Sequence, residues 1–354
     1  MKYMICVLLT LLSFSMFAVI RTVDNNNPSA GQFTTIQAAV NAANNDDIIY
    51  VYPSLTPYQG FYMNKRVRVY GTGWVENGMN IRNATISGQV YFQAGGEYSL
   101  LSGFYGWFGV IYTNVNNFQV ESCTLNYFNQ SNGSTSDTSY GIIIKDTYFS
   151  GSYAGNYPYI SNTSIANGIS IFNCIFNQGA TNARKIFTNA SSNITVVNSI
   201  LRSGTERVFA TSNSSNGIPT MRNNYIDAAG YSAAGEASVS FPSSSLIMYN
   251  IGSGNLFNAG YNNLNALPVS SVYNYATTGT WTPIDSSTAI NAGDPVADFN
   301  DLDGSRNDIG VFGGPYPYDD NGYTTLPTIT DISGTLYTSP SQGLQIHVEA
   351  SSKH

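Results

Sequence analysis

Charge is scarce in this sequence. Only 10% of its 354 residues are Asp, Glu, Lys or Arg, against about 25% in an ordinary globular domain. Cations are the rarer kind, 14 against 21 acids, and the formal charge is −7. A chain so poor in Lys and Arg has no electrostatic footprint for nucleic acid. Histidine is rarer still. His347 and His354 lie at the end of the chain, which excludes a Ser-His-Asp triad, a Cys-His pair or a multi-histidine metal centre from its body. Cysteine occurs 3 times, too seldom for a disulfide-knit scaffold. Past the N-terminus no apolar run approaches the roughly 20 residues of a membrane-spanning helix, so no transmembrane segment is expected in the mature chain.

Asparagine is abundant instead, with 40 copies, beside 33 Gly, 26 Tyr and 18 Phe. This is the composition of a β-rich, turn-rich protein, and 42% hydrophobic content is enough to build a core. Residues 1–18 place Lys2 before an apolar run that ends at the small Ala18. That is the layout of a secretory signal peptide, with cleavage expected after Ala18 and a secreted or cell-surface destination. Cys6 lies inside the apolar run, not just after it, so a lipid anchor is not expected.

The body repeats. The segments F-Q-V-E-S-C-T-L, I-I-I-K-D-T-Y-F, I-S-I-F-N-C-I-F, I-T-V-V-N-S-I-L and P-T-M-R-N-N-Y-I share one pattern, and L-I-M-Y-N is a less regular sixth copy. The position usually held by Asn falls on Ser122, Asp146, Asn173, Asn198, Asn223 and Asn250, about 26 residues apart. Short alternating runs at that interval, with no amphipathic helix between them, predict a parallel β-helix solenoid of the all-β class. Successive coils would stack about 4.8 Å apart. The recurring residue would then stack its side-chain amide in a ladder. In this register Cys123 and Cys174 stand two coils apart, too far for a disulfide, and are expected to be free thiols.

A solenoid needs its ends covered. T-T-I-Q-A-A-V-N-A-A at 34–43 places Ile36, Ala39, Val40 and Ala43 at helical spacing, with Thr34 as a plausible N-cap. The expected domains are a signal peptide at 1–18, a β-helix at 19–315 with an N-terminal capping helix and a closing loop, and a linker with a two-strand tail at 316–354.

The segment F-T-T-I-Q-A-A-V-N-A-A-N-N-D-D-I-I-Y-V-Y-P-S resembles the N-terminal cap of right-handed parallel β-helix proteins of the pectin-lyase-like superfamily. A-I-N-A-G-D-P-V-A-D-F-N-D-L-D-G-S-R-N-D-I-G resembles the closing segment of secreted bacterial members. The resemblance covers about residues 32–315 and implies a right-handed parallel β-helix. It does not select an activity, because that superfamily holds lyases, glycosidases, tailspikes and adhesins.

Few residues in the coils suit catalysis. The acids Glu76, Glu97, Glu121, Asp137, Asp146, Glu206, Asp227 and Glu236 are dispersed, with no D-x-D among them. Glu121 and Lys145 fall one coil apart on the outer column and are expected to pair at the surface. Arg184, Lys185, Arg202 and Arg207 form the most basic stretch, read either as a cationic patch for an acidic polysaccharide or as solvated charges. Tyr91, Tyr105, Trp107 and Tyr112 belong to an aromatic surplus suited to sugar rings, or simply to packing. Asp298, Asp301, Asp303 and Asp308 crowd one short loop around Arg306. Calcium would suit such hard oxygen ligands, while Arg306 bridging the carboxylates is the alternative. The expected function is binding of polysaccharide or a cell-surface glycan, or service as an adhesive surface structure, with calcium as a candidate ion. The alternative is a polysaccharide lyase or glycoside hydrolase acting on an acidic polysaccharide.

Overall fold

The computed structural model describes residues 18–27, 29–73, 83–106, 108–130, 139–150, 160–162, 168–177, 186–189, 194–203, 208–210, 219–228, 241, 244–275, 281–318, 328–335 and 345–351. Strands that alternate in sequence pair with the strand one repeat away, not with their chain neighbours. Among these residues one sheet has ten strands in chain order, from Ile20–Val23 to Ile247–Met248. A second has twelve, beginning at Tyr58–Met63 and ending at Ile251–Gly252. All pairings in both are parallel. The chain is a parallel β-helix, each coil adding a rung to both sheets.

Period-2 alternation sends one side of every strand inward. Ile49, Val69, Leu101, Val120, Ile144, Ile171, Val196, Met221 and Ile247 pair in succession and are all fully buried. Phenylalanines stack likewise in the second sheet, Phe149 on Phe176 at 4.3 Å and Phe187 on Phe209 at 4.7 Å. The helix Ile36–Ala42 covers the first coils with Ile36, Ala39 and Val40 buried. Its N-cap is Thr35, one residue after the expected Thr34. The Thr35 hydroxyl accepts from the Ala38 N–H at 3.2 Å.

The recurring corner residue has a backbone role first. Ser122, Asp146, Asn173, Asn198 and Asn223 all turn with φ between 47° and 57°. Asn and Asp tolerate that left-handed conformation better than other side chains with a Cβ. The sixth corner is Tyr249, at φ 55°, not Asn250. Arg222 pairs with Met248, which puts Tyr249 level with Asn223 and moves Asn250 into the next column. That column holds Cys123, Thr147, Cys174, Ser199, Asn224 and Asn250. Asn250 Oδ1 accepts from Asn224 N–H at 3.0 Å, Asn224 Oδ1 from Ser199 N–H at 2.9 Å, and Ser199 Oγ from Cys174 N–H at 3.1 Å. From Cys174 to Asn250 a polar ladder therefore runs one residue after the expected one. In the corner column side-chain contacts between coils include Ser122 Oγ to Asp146 Oδ2 at 2.9 Å and Asn223 Nδ2 to Asn198 Oδ1 at 3.4 Å.

Most corner amides bond to the C-terminal part of the body. Asn173 Nδ2 donates to the Val311 and Gly313 carbonyls at 2.8 and 2.9 Å. Asn198 Nδ2 donates to Asn307 Oδ1 at 2.9 Å, and Asp294 N–H donates to Asn223 Oδ1 at 2.8 Å. The closing segment thus lies along the side of three coils, where an end cap was expected. The reason is an outward apolar column, Ile175, Ile200, Tyr225 and Ile251. It is buried with Val272, Tyr273, Trp281, Ala289, Ile309 and Val311 in a second core. Thr328–Thr335 and Gln345–Ser351 form a separate antiparallel pair. No described helix is long and apolar enough to cross a membrane.

Candidate functional site

The structure disperses the residues expected to bind sugar. Tyr112 is fully buried among Phe118 and Phe128, so it cannot touch a saccharide. Tyr105 is half-buried against the second core. Arg202 pairs with Asp227 at 3.3 Å and stacks over Tyr275 at 5.0 Å, so its charge is already partnered. Trp107, Arg184, Lys185 and Arg207 lie outside the described residues. Glu121 and Lys145 do pair, at 2.8 Å, but Glu121 is buried and not on an open surface.

The acidic loop is organised by backbone donors. Asp301 accepts from the Gly314 N–H at 2.6 Å and from the Asp308 N–H at 3.2 Å. Asp303 accepts from Ser305 N–H and Asp308 from Asn291 N–H. Burial pushes the carboxyls of Asp301 and Asp308 above the usual range, against the pull of those N–H bonds. Asp303 is held below it by its bonds to Ser305. Arg306 does not bridge the carboxylates as expected. Its guanidinium donates to the Gly293 and Ala292 carbonyls at 2.7 and 3.2 Å and lies over the Tyr249 ring. Among the described residues no three acidic, Cys or His side chains are grouped to hold a metal ion. The four aspartates are not gathered into the calcium cage the sequence suggested, and Asp301, Asp303 and Asp308 turn oxygens to backbone N–H groups instead.

A different site emerges on the early coils of the second sheet. The strand Tyr58–Met63 pairs with Ile86–Phe92, and the register slips between Gln59 and Phe61. The strand Phe108–Tyr112 pairs with Thr124–Gln130, and the register slips again, so that Phe108 faces Leu125 while Gly109 faces Tyr127. Asn126 is the extra residue of that second bulge. Bulges re-aim side chains and bend the strand. The two slips occur in nearby rungs, because Gln89 pairs with Gly109 and Gly109 with Tyr127. An open pocket of about 380 Å³ lies there, lined by Tyr62, Tyr91, Tyr127, Gln89 and Asn126.

Two glycines allow the close approach of the strands around the pocket. A Cβ at Gly60 would collide with the Gln89 backbone, and one at Gly109 would enter the Tyr127 ring. The side chains are held by one another. Tyr62 stacks on Tyr91 at 4.7 Å, with planes 19° apart. Gln89 Nε2 donates to the Tyr127 hydroxyl at 2.6 Å, and the Tyr91 hydroxyl donates to Gln89 Oε1. The capping helix contributes too, since Gln37 Oε1 accepts from Tyr62 N–H at 2.8 Å. Tyr62 keeps 45% exposure.

Chemically the pocket offers aromatic faces and amide dipoles. Its lining includes no carboxylate and no cation, so it holds neither a general acid–base pair nor a counter-charge. Sequence reading singled out Tyr91 only as part of the aromatic surplus and missed Tyr62, Gln89, Asn126 and Tyr127. The available signal was a Gly interrupting each of three strand patterns, at Gly60, Gly88 and Gly109, which marks bulges or close approach. The sequence matches no protein-family model and no curated protein. Among solved structures the chain is similar to the crystal structure of pectate lyase Pel9A, at 12% identity and a TM-score of 0.36, over 84% of this chain and 96% of that one.

Proposed function

We propose that this protein is an extracellular β-helix that binds polysaccharide, as a surface or adhesive component, through the tyrosine-lined pocket. The supporting observation is the stacked Tyr62–Tyr91 pair on an open concavity whose rim carries amides. Sugar rings present apolar C–H faces and hydroxyl edges, which aromatic rings and amides complement. The N-terminal stretch with signal-peptide layout supports the extracellular setting. A lyase or glycosidase would need carboxylates converging on a groove, and this pocket's lining includes none. The test is a glycan array run beside a reducing-end release assay. The expected result is retention of polysaccharide without release of new ends, weakened by Tyr62→Ala. Release of unsaturated or reducing ends by the purified protein would replace this reading with an enzymatic one.

A further inference from the structure

We propose that the pocket takes one ring of an uncharged polysaccharide, and that the buried Oδ1 of Asn126 accepts a hydrogen bond from a hydroxyl of that ring. The inference rests on the polysaccharide reading above and narrows it to neutral glycans.

Asn126 is the first reason. It is 3% exposed, it lines the pocket, and its Oδ1 receives no hydrogen bond from the described residues. A buried carbonyl oxygen without a donor is a standing cost, and native structures rarely leave one uncompensated. The bulge deepens the point. Because Phe108 faces Leu125 and Gly109 faces Tyr127, Asn126 has no residue opposite it in the rung. The neighbouring Leu125 and Phe128 are fully buried apolar residues. A turn of the Asn126 side chain towards the pocket that it lines lets a ring hydroxyl supply the missing donor.

Charge is the second reason. A uronic acid ring would bring a carboxylate into a recess lined by tyrosines, amides and glycines, with no Lys or Arg in the lining. Removing a carboxylate from water without a partner is strongly unfavourable. A neutral ring carries no such penalty. It can lie on the exposed face of Tyr62 while the pocket's amides meet its edge.

Affinity electrophoresis of the full chain, through gels carrying barley β-glucan, galactomannan or xylan and others carrying polygalacturonate or alginate, separates the outcomes. The expected result is retardation by at least one neutral polymer, undiminished by added salt, and weakened by about tenfold or more in Asn126→Leu. Tyr62→Ala should weaken it similarly, and this exposed position guards against a variant that fails merely by misfolding. Retardation by the acidic polymers alone, falling with salt, would overturn the neutral-glycan inference and leave the polysaccharide reading standing. Neutral retardation that survives both substitutions would overturn the assignment to this pocket. No retardation by any of the five polymers would sink both.

Discussion

Asn198 carries two demands in one residue. Its backbone turns at φ 49°, and its side chain, 2% exposed, donates to Asn307 Oδ1 and to the Asp308 and Gly310 carbonyls. Leucine fails both demands, and glycine fails only the second. Asn198→Leu should therefore lower stability by about 1–3 kcal/mol through the unpaired groups, plus roughly 1–2 kcal/mol of left-handed strain. Asn198→Gly should lose only the first part. Denaturant midpoints in the order wild type, Gly, Leu are expected; a Leu variant equal to wild type would remove Asn198 from the contact. The two cysteines are a second residue-scale case. Cys123 and Cys174 are buried and unbonded to each other. Burial pushes the Cys123 thiol up to about 12 and Cys174 higher still. Each thiol donates to the carbonyl two residues back, at 3.1 and 3.2 Å. Both should resist a thiol reagent in the native protein at mild pH and react after denaturation without reductant. A Cys123–Cys174 disulfide in an unreduced peptide map would contradict the coil register.

At the scale of an element, the segment 289–314 behaves as a strap whose carboxyls oppose one another. Asp301 and Asp308 have raised pKa values through burial, with the charge of Asp308 adding to the rise at Asp301 and that of Asp303 to the rise at Asp308. The folded state therefore binds protons more tightly than the unfolded chain between the ordinary value of 3.8 and the raised one. Stability from these two groups falls as pH rises through that window and is regained on acidification. Asp47 runs the other way. Burial raises it, but N–H bonds from Val19 and Asn44 and the Arg21 pair outweigh that and hold it low. Its contribution is present above 3.8 and is lost only as pH falls below that value. As pH is lowered from neutrality, the melting temperature should rise while Asp301 and Asp308 take up protons above 3.8, and drop below that value as Asp47 loses its contribution. An Asp301→Asn, Asp308→Asn double variant should show a flatter rise. If variant and wild type trace the same curve, the strap's carboxyls do not titrate as described.

Across the whole molecule, stability in a solenoid is a sum of local rungs and nearest-neighbour interfaces. The strap adds a longer link, because it bonds to Asn173, Asn198 and Asn223 in three successive coils. Asn307 is fully buried and bonds to Asn198 and to the Phe299 carbonyl. Removing its side chain in Asn307→Ala should loosen those coils together. Hydrogen exchange should quicken in Ile169–Phe172, Ile194–Val197 and Thr220–Arg222 and stay unchanged in Ile48–Val51 and Arg68–Tyr70. Equal loss of protection in the early strands would mean the body unfolds as a single unit.

The sequence by itself determined the solenoid, because a spacing near 26 residues and period-2 alternation are local properties that every coil repeats. It also determined the capping helix to within one residue and the first five corner positions, whose positive φ only the structure showed. It misplaced the sixth corner because Tyr249 and Asn250 differ by one position, and only the pairing of Arg222 with Met248 sets the register. Tertiary structure alone decided where the closing segment lies. An outward apolar column at Ile175, Ile200, Tyr225 and Ile251 becomes visible only when coils stack, and its burial draws the strap along the side and turns Arg306 towards carbonyls. The pocket was hidden for the same reason. Tyr62, Gln89 and Asn126 are far apart in the chain, and two register slips bring them to one place. A slip is set by how one strand meets its neighbours, and no single repeat contains that information.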